Sequence, residues 1–197
     1  MKKLHFAFFG TPIFSTFVLD ELIKDGYIPS VIITTPDKPA GRGLELSQSP
    51  VKKFAEQYSI PVIQPEKLDS NFLTQLKGLK LDLFVVAAYG KIIPESILLI
   101  SKYPPLNVHP SLLPRYRGTS PVESQILADE KSIGVTVIQM DKEMDHGPIV
   151  TQEKIEFINW PVPRDSLNKI LWTRGGYLLS QDRLEASRRK KEVKDRR

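Results

Sequence analysis

Leu81-Asp82-Leu83-Phe84-Val85-Val86 is an apolar run of single-strand length, broken only by Asp82. Such a run suits a strand buried on both faces, the condition of an inner strand in a parallel sheet. Upstream, residues 4–9 (Leu-His-Phe-Ala-Phe-Phe) form a second short run that ends at Gly10, and Phe14, Phe17, Val18 and Leu22 then fall at helical spacing within 13–25. A strand entering a helix is predicted there. Val31-Ile32-Ile33 predicts a further strand, residues 50–58 a helix, Pro61-Val62-Ile63 a short strand and residues 70–78 a helix. Downstream, Leu106-Asn107-Val108-His109 reads as a strand stopped by Pro110, and 120–128 as a helix. Residues 135–140 and 149–157 read as strands flanking a turn at Asp145-His146-Gly147. Residues 165–186 carry a helical pattern that Gly175-Gly176 is expected to interrupt. The alternation of strands and helices predicts an α/β domain, a Rossmann-like, mostly parallel twisted sheet flanked by helices. The stretch from Thr34 to Pro50 holds Pro36, Pro39, Gly41, Gly43 and Pro50 and is too long for a plain connection, so it is expected to be a functional or mobile loop.

At 197 residues and 41% hydrophobic, the chain can bury one full core. It has no cysteine, which excludes disulfides, thiolate zinc sites and cysteine redox chemistry. The apolar stretch that follows Met1-Lys2-Lys3 breaks at Gly10-Thr11-Pro12, too early for a signal peptide or a membrane span, and a soluble, cytoplasmic protein with no membrane association is expected. The net charge of +5 is unevenly spread: residues 182–197 hold eight Lys/Arg against four Asp/Glu, leaving +1 for the preceding 181 residues. The run Arg188-Arg189-Lys190-Lys191 reads first as a solvated terminus and only second as an arm for phosphates.

Gly10-Thr11-Pro12 stands where a dinucleotide fold would carry its glycine-rich turn, but the G-x-G-x-x-G pattern is absent, which disfavours NAD. In an open sheet of this kind ligands gather beyond the carboxyl ends of the strands, where Asn107, His109 and Asp145 are expected. Asn107 and His109 are two apart on a predicted strand, so both leave the same face while Val108 points to the opposite core. An amide N–H can hydrogen-bond a carbonyl oxygen as it turns tetrahedral, and an imidazole can take or deliver a proton. A carboxylate beside the ring would fix its tautomer. That set suits acyl or formyl transfer to an amine; taken alone, an N-x-H pair reads first as a strand-end amide and a hydrogen-bonded structural histidine and only second as a reacting pair. A metal triad of His109, Asp145 and His146 is disfavoured, because His146 directly follows Asp145 in a turn and no helical His spacing accompanies them. His5 reads as a core or edge residue.

Asn107-x-His109-Pro110-Ser111-Leu112-Leu113-Pro114, followed by Arg115-Tyr116-Arg117-Gly118, resembles the signature of the folate-dependent formyltransferases. The resemblance implies that Asn107, His109 and Asp145 are catalytic, Asp141 being the rival carboxylate without the glycine turn behind it. It implies a folate site lined by Ser111, Leu112, Leu113 and Pro114, with the stretch Ala88 to Pro94, including Tyr89, Gly90, Ile92 and Ile93, holding the pterin. Further stretches resemble the methionyl-tRNA formyltransferases in particular: Gly10-Thr11-Pro12-x-Phe14, Thr35 to Gly43, Ser49-Pro50-Val51-Lys52 and Gln64-Pro65-Glu66-Lys67-Leu68. That branch implies N10-formyltetrahydrofolate as formyl donor, initiator methionyl-tRNA as acceptor, Lys38 and Arg42 as phosphate contacts, no metal, and a monomer. Without the resemblance, the same glycines and prolines would mark an ordinary surface loop.

The expected organisation is a catalytic domain over 1–181 and a basic tail over 182–197, helical or disordered. Members of that branch continue into a C-terminal β-barrel domain that helps to grip tRNA, and this chain is expected to lack it. Leu171 to Gly176 resembles the end of the catalytic domain loosely, and Asp182 to Arg197 matches nothing in the pattern. Two other activities fit the same residues, a sugar-nucleotide N-formyltransferase and a formyltetrahydrofolate hydrolase, and so does an inactive folate-binding remnant.

Overall fold

The computed structural model describes residues 4–40, 45–181 and 184. Arg42 and, Leu184 apart, the expected basic tail lie outside the described residues. The first half of the chain forms β1 (Phe6–Phe9), α1 (Ile13–Lys24), β2 (Val31–Ile33), β3 (Lys38–Ala40), β4 (Glu45–Ser47), α2 (Pro50–Gln57), β5 (Val62–Ile63), α3 (Ser70–Gly78) and β6 (Leu83–Val86). The second half forms α4 (Glu95–Leu98), β7 (Leu106–His109), α5 (Pro121–Leu127), β8 (Ile133–Gln139), β9 (Ile149–Ile155) and α6 (Arg164–Ser180). A seven-stranded sheet has the order β5-β2-β1-β6-β7-β8-β9. Its first five strands are parallel, and β8 and β9 add to β7 antiparallel. The fold is therefore a Rossmann-like, mostly parallel α/β sheet with an antiparallel edge.

Because side chains alternate across a strand, each inner strand feeds two cores. Phe6 and Phe8 of β1, Leu83 and Val85 of β6, and Leu106 and Val108 of β7 pack under α1 and α6. Ala7, Phe9, Phe84 and Val86 face the other way, under Phe72 and Leu76 of α3 and Ile97 and Leu98 of α4. Helix starts follow local chemistry: Ser49 Oγ accepts from Lys52 N ahead of Pro50 in α2, and Asp69 Oδ1 accepts from Asn71 N and Phe72 N in α3. Each such cap contributes about 1 kcal/mol.

Two expectations are corrected, and one element is new. The stretch from Thr34 to Pro50 is not a plain loop, since β3 and β4 pair antiparallel within it, with Pro39 opposite Leu46. A two-stranded ribbon has edges on both sides and tolerates proline. Its base is clamped by Asp37, whose Oδ2 meets Lys52 Nζ at 2.6 Å and whose Oδ1 accepts from Gln64 Nε2 at 2.7 Å. Those two contacts hold the Asp37 carboxyl below the usual carboxylate range. The new element is α4, which was not legible because four residues are too few to show a helical period.

Second, α6 runs unbroken through Gly175-Gly176. These glycines are there for close packing rather than for a break. A Cβ on Gly175 would stand 2.3 Å from Val108 Cγ1, and one on Gly176 would stand 2.9 Å from the Val18 carbonyl oxygen of α1. A bare backbone is what lets α6 lie against both the sheet and α1, and that packing offsets the roughly 1 kcal/mol helix penalty of each glycine.

Gly175→Ala is expected to destabilise the fold by about 1–3 kcal/mol through overpacking, a melting-point drop of roughly 3–10 °C, measured by calorimetry. An unchanged melting point would contradict the close contact. For Asp37, a depressed folded pKa means that its stabilisation is present at neutral pH and is lost as pH falls through the lowered value. Hydrogen-exchange protection of β3 and β4, corrected for intrinsic rate, should persist down to the ordinary carboxylate range and fail only below it; loss at neutral pH would contradict the clamp.

Candidate active site

The face of β7 opposite α6 carries Asn107 and His109. Val86 of β6 stands beside Asn107 in register, and Ile138 and Thr136 of β8 stand opposite Asn107 and His109. Over β7 this face is crossed by the β8–β9 connection, and that connection delivers Asp145. Gln139, the last residue of β8, pairs with Leu106, the first of β7, so the connection leaves the sheet at the amino end of β7 and folds back over its face. The antiparallel direction of β8 is the reason, and the return over the face brings Asp145 to His109, the last residue of β7.

Asn107, His109 and Asp145 are brought together. Asp145 Oδ1 accepts from Asn107 Nδ2 at 3.2 Å, and Oδ2 accepts from Gly118 N at 2.9 Å while facing His109 Nδ1 at 3.5 Å. The side chains of His109 and Asp145 are 5% and 9% exposed, so ring and carboxylate face each other with little solvent between them. Asp145 has φ +52°, a left-handed conformation that aspartate tolerates better than most residues. Gly147 closes the turn where a Cβ would stand 1.8 Å from the Gln139 carbonyl oxygen. The rival Asp141 instead accepts from Glu143 N and faces the half-exposed His146. Among the described residues no group of three or more His, Cys, Asp and Glu side chains is placed to hold a metal.

His109 Nε2 lies 2.8 Å from the Tyr116 carbonyl oxygen. A carbonyl can only accept, so Nε2 carries a proton and donates it. Tyr116 has φ +58°, and a non-glycine residue held there costs about 1–3 kcal/mol. Its hydroxyl donates to Glu130 Oε2 at 3.1 Å, and the Arg115 guanidinium pairs with the same carboxylate. Glu130 Oε1 accepts from Ser132 N at 2.9 Å; this bond first, with the Tyr116 and Arg115 contacts, holds the Glu130 carboxyl below its usual range. Sequence reasoning missed Tyr116, Gly118 and Glu130 as site residues. Tyr116 and Gly118 stand inside the quoted signature, but their contributions come from backbone atoms and leave no side-chain pattern.

The segment after β7 is fastened by a pair of polar residues on neighbouring strands. Thr136 Oγ1 donates to Ser111 O at 2.6 Å and accepts from Leu113 N, while Gln152 Nε2, on β9 opposite Thr136, donates to Leu113 O and to Thr136 Oγ1. Ser111 and Leu113 are buried, Leu112 is half-buried and Pro114 is exposed; the Leu113–Pro114 peptide is cis. At the end of β6, Tyr89 is buried edge-on against Phe9, and burial pushes its hydroxyl up to about 12. Gly90 has φ +84°, Ile93 is buried and Ile92 stands 80% exposed. Thr11 Oγ1 donates to Tyr89 O at 2.8 Å and Ser15 Oγ to Ala87 O at 2.6 Å, so the Gly10-Thr11-Pro12 turn braces this loop. Lys38 is exposed on β3.

Comparison with known proteins agrees with this architecture. The family model described as formyl transferase matches residues 2–171. A methionyl-tRNA formyltransferase of Nitrosomonas eutropha is 44% identical over 149 residues, 75% of this chain and 46% of that protein. Another, of Syntrophus aciditrophicus, is 42% identical over 178 residues, 88% of this chain and 54% of that protein. The chain thus spans about half the length of these relatives. Among solved structures, phosphoribosylglycinamide formyltransferase from Anaplasma phagocytophilum superposes with a TM-score of 0.68 at 26% identity, covering 92% of this chain and 89% of that one. The chain belongs to the formyl transferase family.

Proposed function

We propose that this chain carries the catalytic centre of a methionyl-tRNA formyltransferase, which moves a formyl group from N10-formyltetrahydrofolate to the amine of methionine on initiator tRNA. The observation that carries the reading is the buried set of Asn107, His109 and Asp145, joined by hydrogen bonding and charge on one strand face. The amine attacks the formyl carbon, and the carbonyl oxygen becomes an oxyanion. Asp145 takes one N–H of the Asn107 amide, and the second is directed to that oxyanion together with the protonated His109 ring. Asp145 holds the imidazolium and helps to pass the proton lost by the amine to N10 as the C–N10 bond breaks. The product is the formamide, and tetrahydrofolate leaves with its N10 protonated.

The residues around the set fit a flat, largely aromatic donor. Exposed Ile92 and Pro114 and half-buried Leu112 offer apolar contact, and the backbone turns at Ala88 and Gly90, both with positive φ, direct peptide groups out of the strand end. Ser111, Leu113, Tyr89 and Ile93 shape that site from beneath in this reading. Similarity above 40% to methionyl-tRNA formyltransferases supports this acceptor. Lys38 on the clamped hairpin, with Arg42 of the same loop, would meet tRNA phosphates. In this reading residues 1–181 form the catalytic unit, acting as a cytoplasmic monomer; among the described residues no helix is long and apolar enough to cross a membrane.

The test is a formyl-transfer assay with charged initiator tRNA run beside one with an amino-sugar nucleotide. Formylation of the tRNA alone is expected, and tetrahydrofolate release that needs neither acceptor would overturn the reading in favour of hydrolysis. Asn107→Ala and His109→Ala should each lower kcat by about a hundredfold or more while donor binding, followed by fluorescence, is retained. A His109→Ala protein with an undiminished rate would rule out the mechanism.

A further inference from the structure

We propose that Glu130 is a positioning residue: through the Tyr116 hydroxyl and the Arg115 guanidinium it holds the Tyr116 carbonyl on His109 Nε2, leaving Nδ1 as the nitrogen that exchanges protons during the reaction. The inference rests on the reading of His109 as the reacting imidazole. Each link is a contact. Tyr116 is in the left-handed region, and its carbonyl takes the Nε2 proton at 2.8 Å. Nothing in the residue type favours that backbone state, so it must be held from outside.

Glu130 does so by two routes. Its Oε2 accepts from the Tyr116 hydroxyl and pairs with Arg115, whose guanidinium also lies 5.2 Å over the Tyr116 ring. The Arg115 carbonyl is in turn pinned by Ser111 Oγ at 2.7 Å. Glu130 is itself immobilised by the Ser132 N–H on Oε1 and by its own N–H on the Gln125 carbonyl of α5. The side chain of Glu130 is only 12% exposed, although it sits in the connection between α5 and β8.

On the other side of the ring, Asp145 Oδ2 is 3.5 Å from Nδ1, beyond ordinary hydrogen-bond length. The carboxylate attracts a charge on Nδ1 without occupying it. Protonated there, the ring presents Nδ1–H to the oxyanion. As the C–N10 bond breaks the same proton goes to N10, and the proton lost by the attacking amine replaces it. With Nε2 released from the carbonyl, the neutral ring would divide between two tautomers, and part of the population would already carry its proton on Nδ1, with no lone pair there to take one from the amine.

The test is nitrogen-15 NMR of the histidine rings in the full chain, with His109 assigned by the signal lost in His109→Gln, read beside steady-state kinetics. The wild-type neutral ring is expected to be entirely the Nε2–H tautomer. Glu130→Ala and Tyr116→Phe should each populate the Nδ1–H form and lower kcat by about tenfold. KM for the formyl donor should change by less than about twofold, because substrate binding is untouched. Glu130→Gln, which still accepts from the tyrosine hydroxyl, should restore most of the single tautomer. A folded Glu130→Ala protein whose His109 remains wholly Nε2–H overturns the proposal. Should Glu130→Ala fail to fold, Tyr116→Phe decides on the same spectrum. The ring spectra do not depend on turnover, so a wild-type protein that transfers no formyl group would sink the functional reading while leaving this one to be judged.

Discussion

Val108 meets Gly175 with no room for a methyl group between them, and on this contact the use of β7 depends. A strand four residues long must bury Leu106 and Val108 on one side and present Asn107 and His109 on the other. Side-chain alternation permits that, but only a helix pressed against the sheet makes it rigid. Gly175 brings α6 to the sheet, Gly176 brings it to α1, and the spacing of Asn107 from His109 is inherited from the strand they share. A catalytic pair on a packed strand needs less further support than one on a loop.

The third member comes by another route. Asp145 is on a connection, and its position depends on polar contacts: Asn107 and the Gly118 N–H on its two oxygens, and a left-handed backbone closed by Gly147. The same economy recurs around His109, where a carbonyl from Tyr116 and a carboxylate from Glu130 fix a ring. Two strained backbone positions thus flank the imidazole, and both are held by hydrogen bonds that would be left unsatisfied if they relaxed. Strain of this kind persists only where the surroundings over-determine it.

How much of this was legible depended on whether the information sat in side-chain patterning. The inner strands and the shared face of Asn107 and His109 were readable because they are consequences of period two and apolar runs. Asp145 was reached through the resemblance and its glycine turn, not through spacing. The β3–β4 ribbon was hidden because prolines and glycines mark turns more strongly than three-residue strands mark pairing. The glycine pair in α6 was misread as a break, since a glycine that permits close approach and one that ends a helix look alike until the neighbour is known. Tyr116 and Gly118 meet His109 and Asp145 through backbone atoms, which no sequence pattern records.

The α6 contact also bears on when the site becomes competent. Asn107 and Asp145 are 38 residues apart and lie on an antiparallel meander, whereas the Ser15 contact that ties α1 to the end of β6 spans 72 residues. Loop-closure entropy therefore favours meeting of Asn107 and Asp145 ahead of the long closure of β1 on β6. Yet Val108 has no backing until Gly175 is present, and Gly175 lies late in the chain. On the ribosome, the chemical groups can meet before they are held, and a working geometry waits for the helix that contributes none of them.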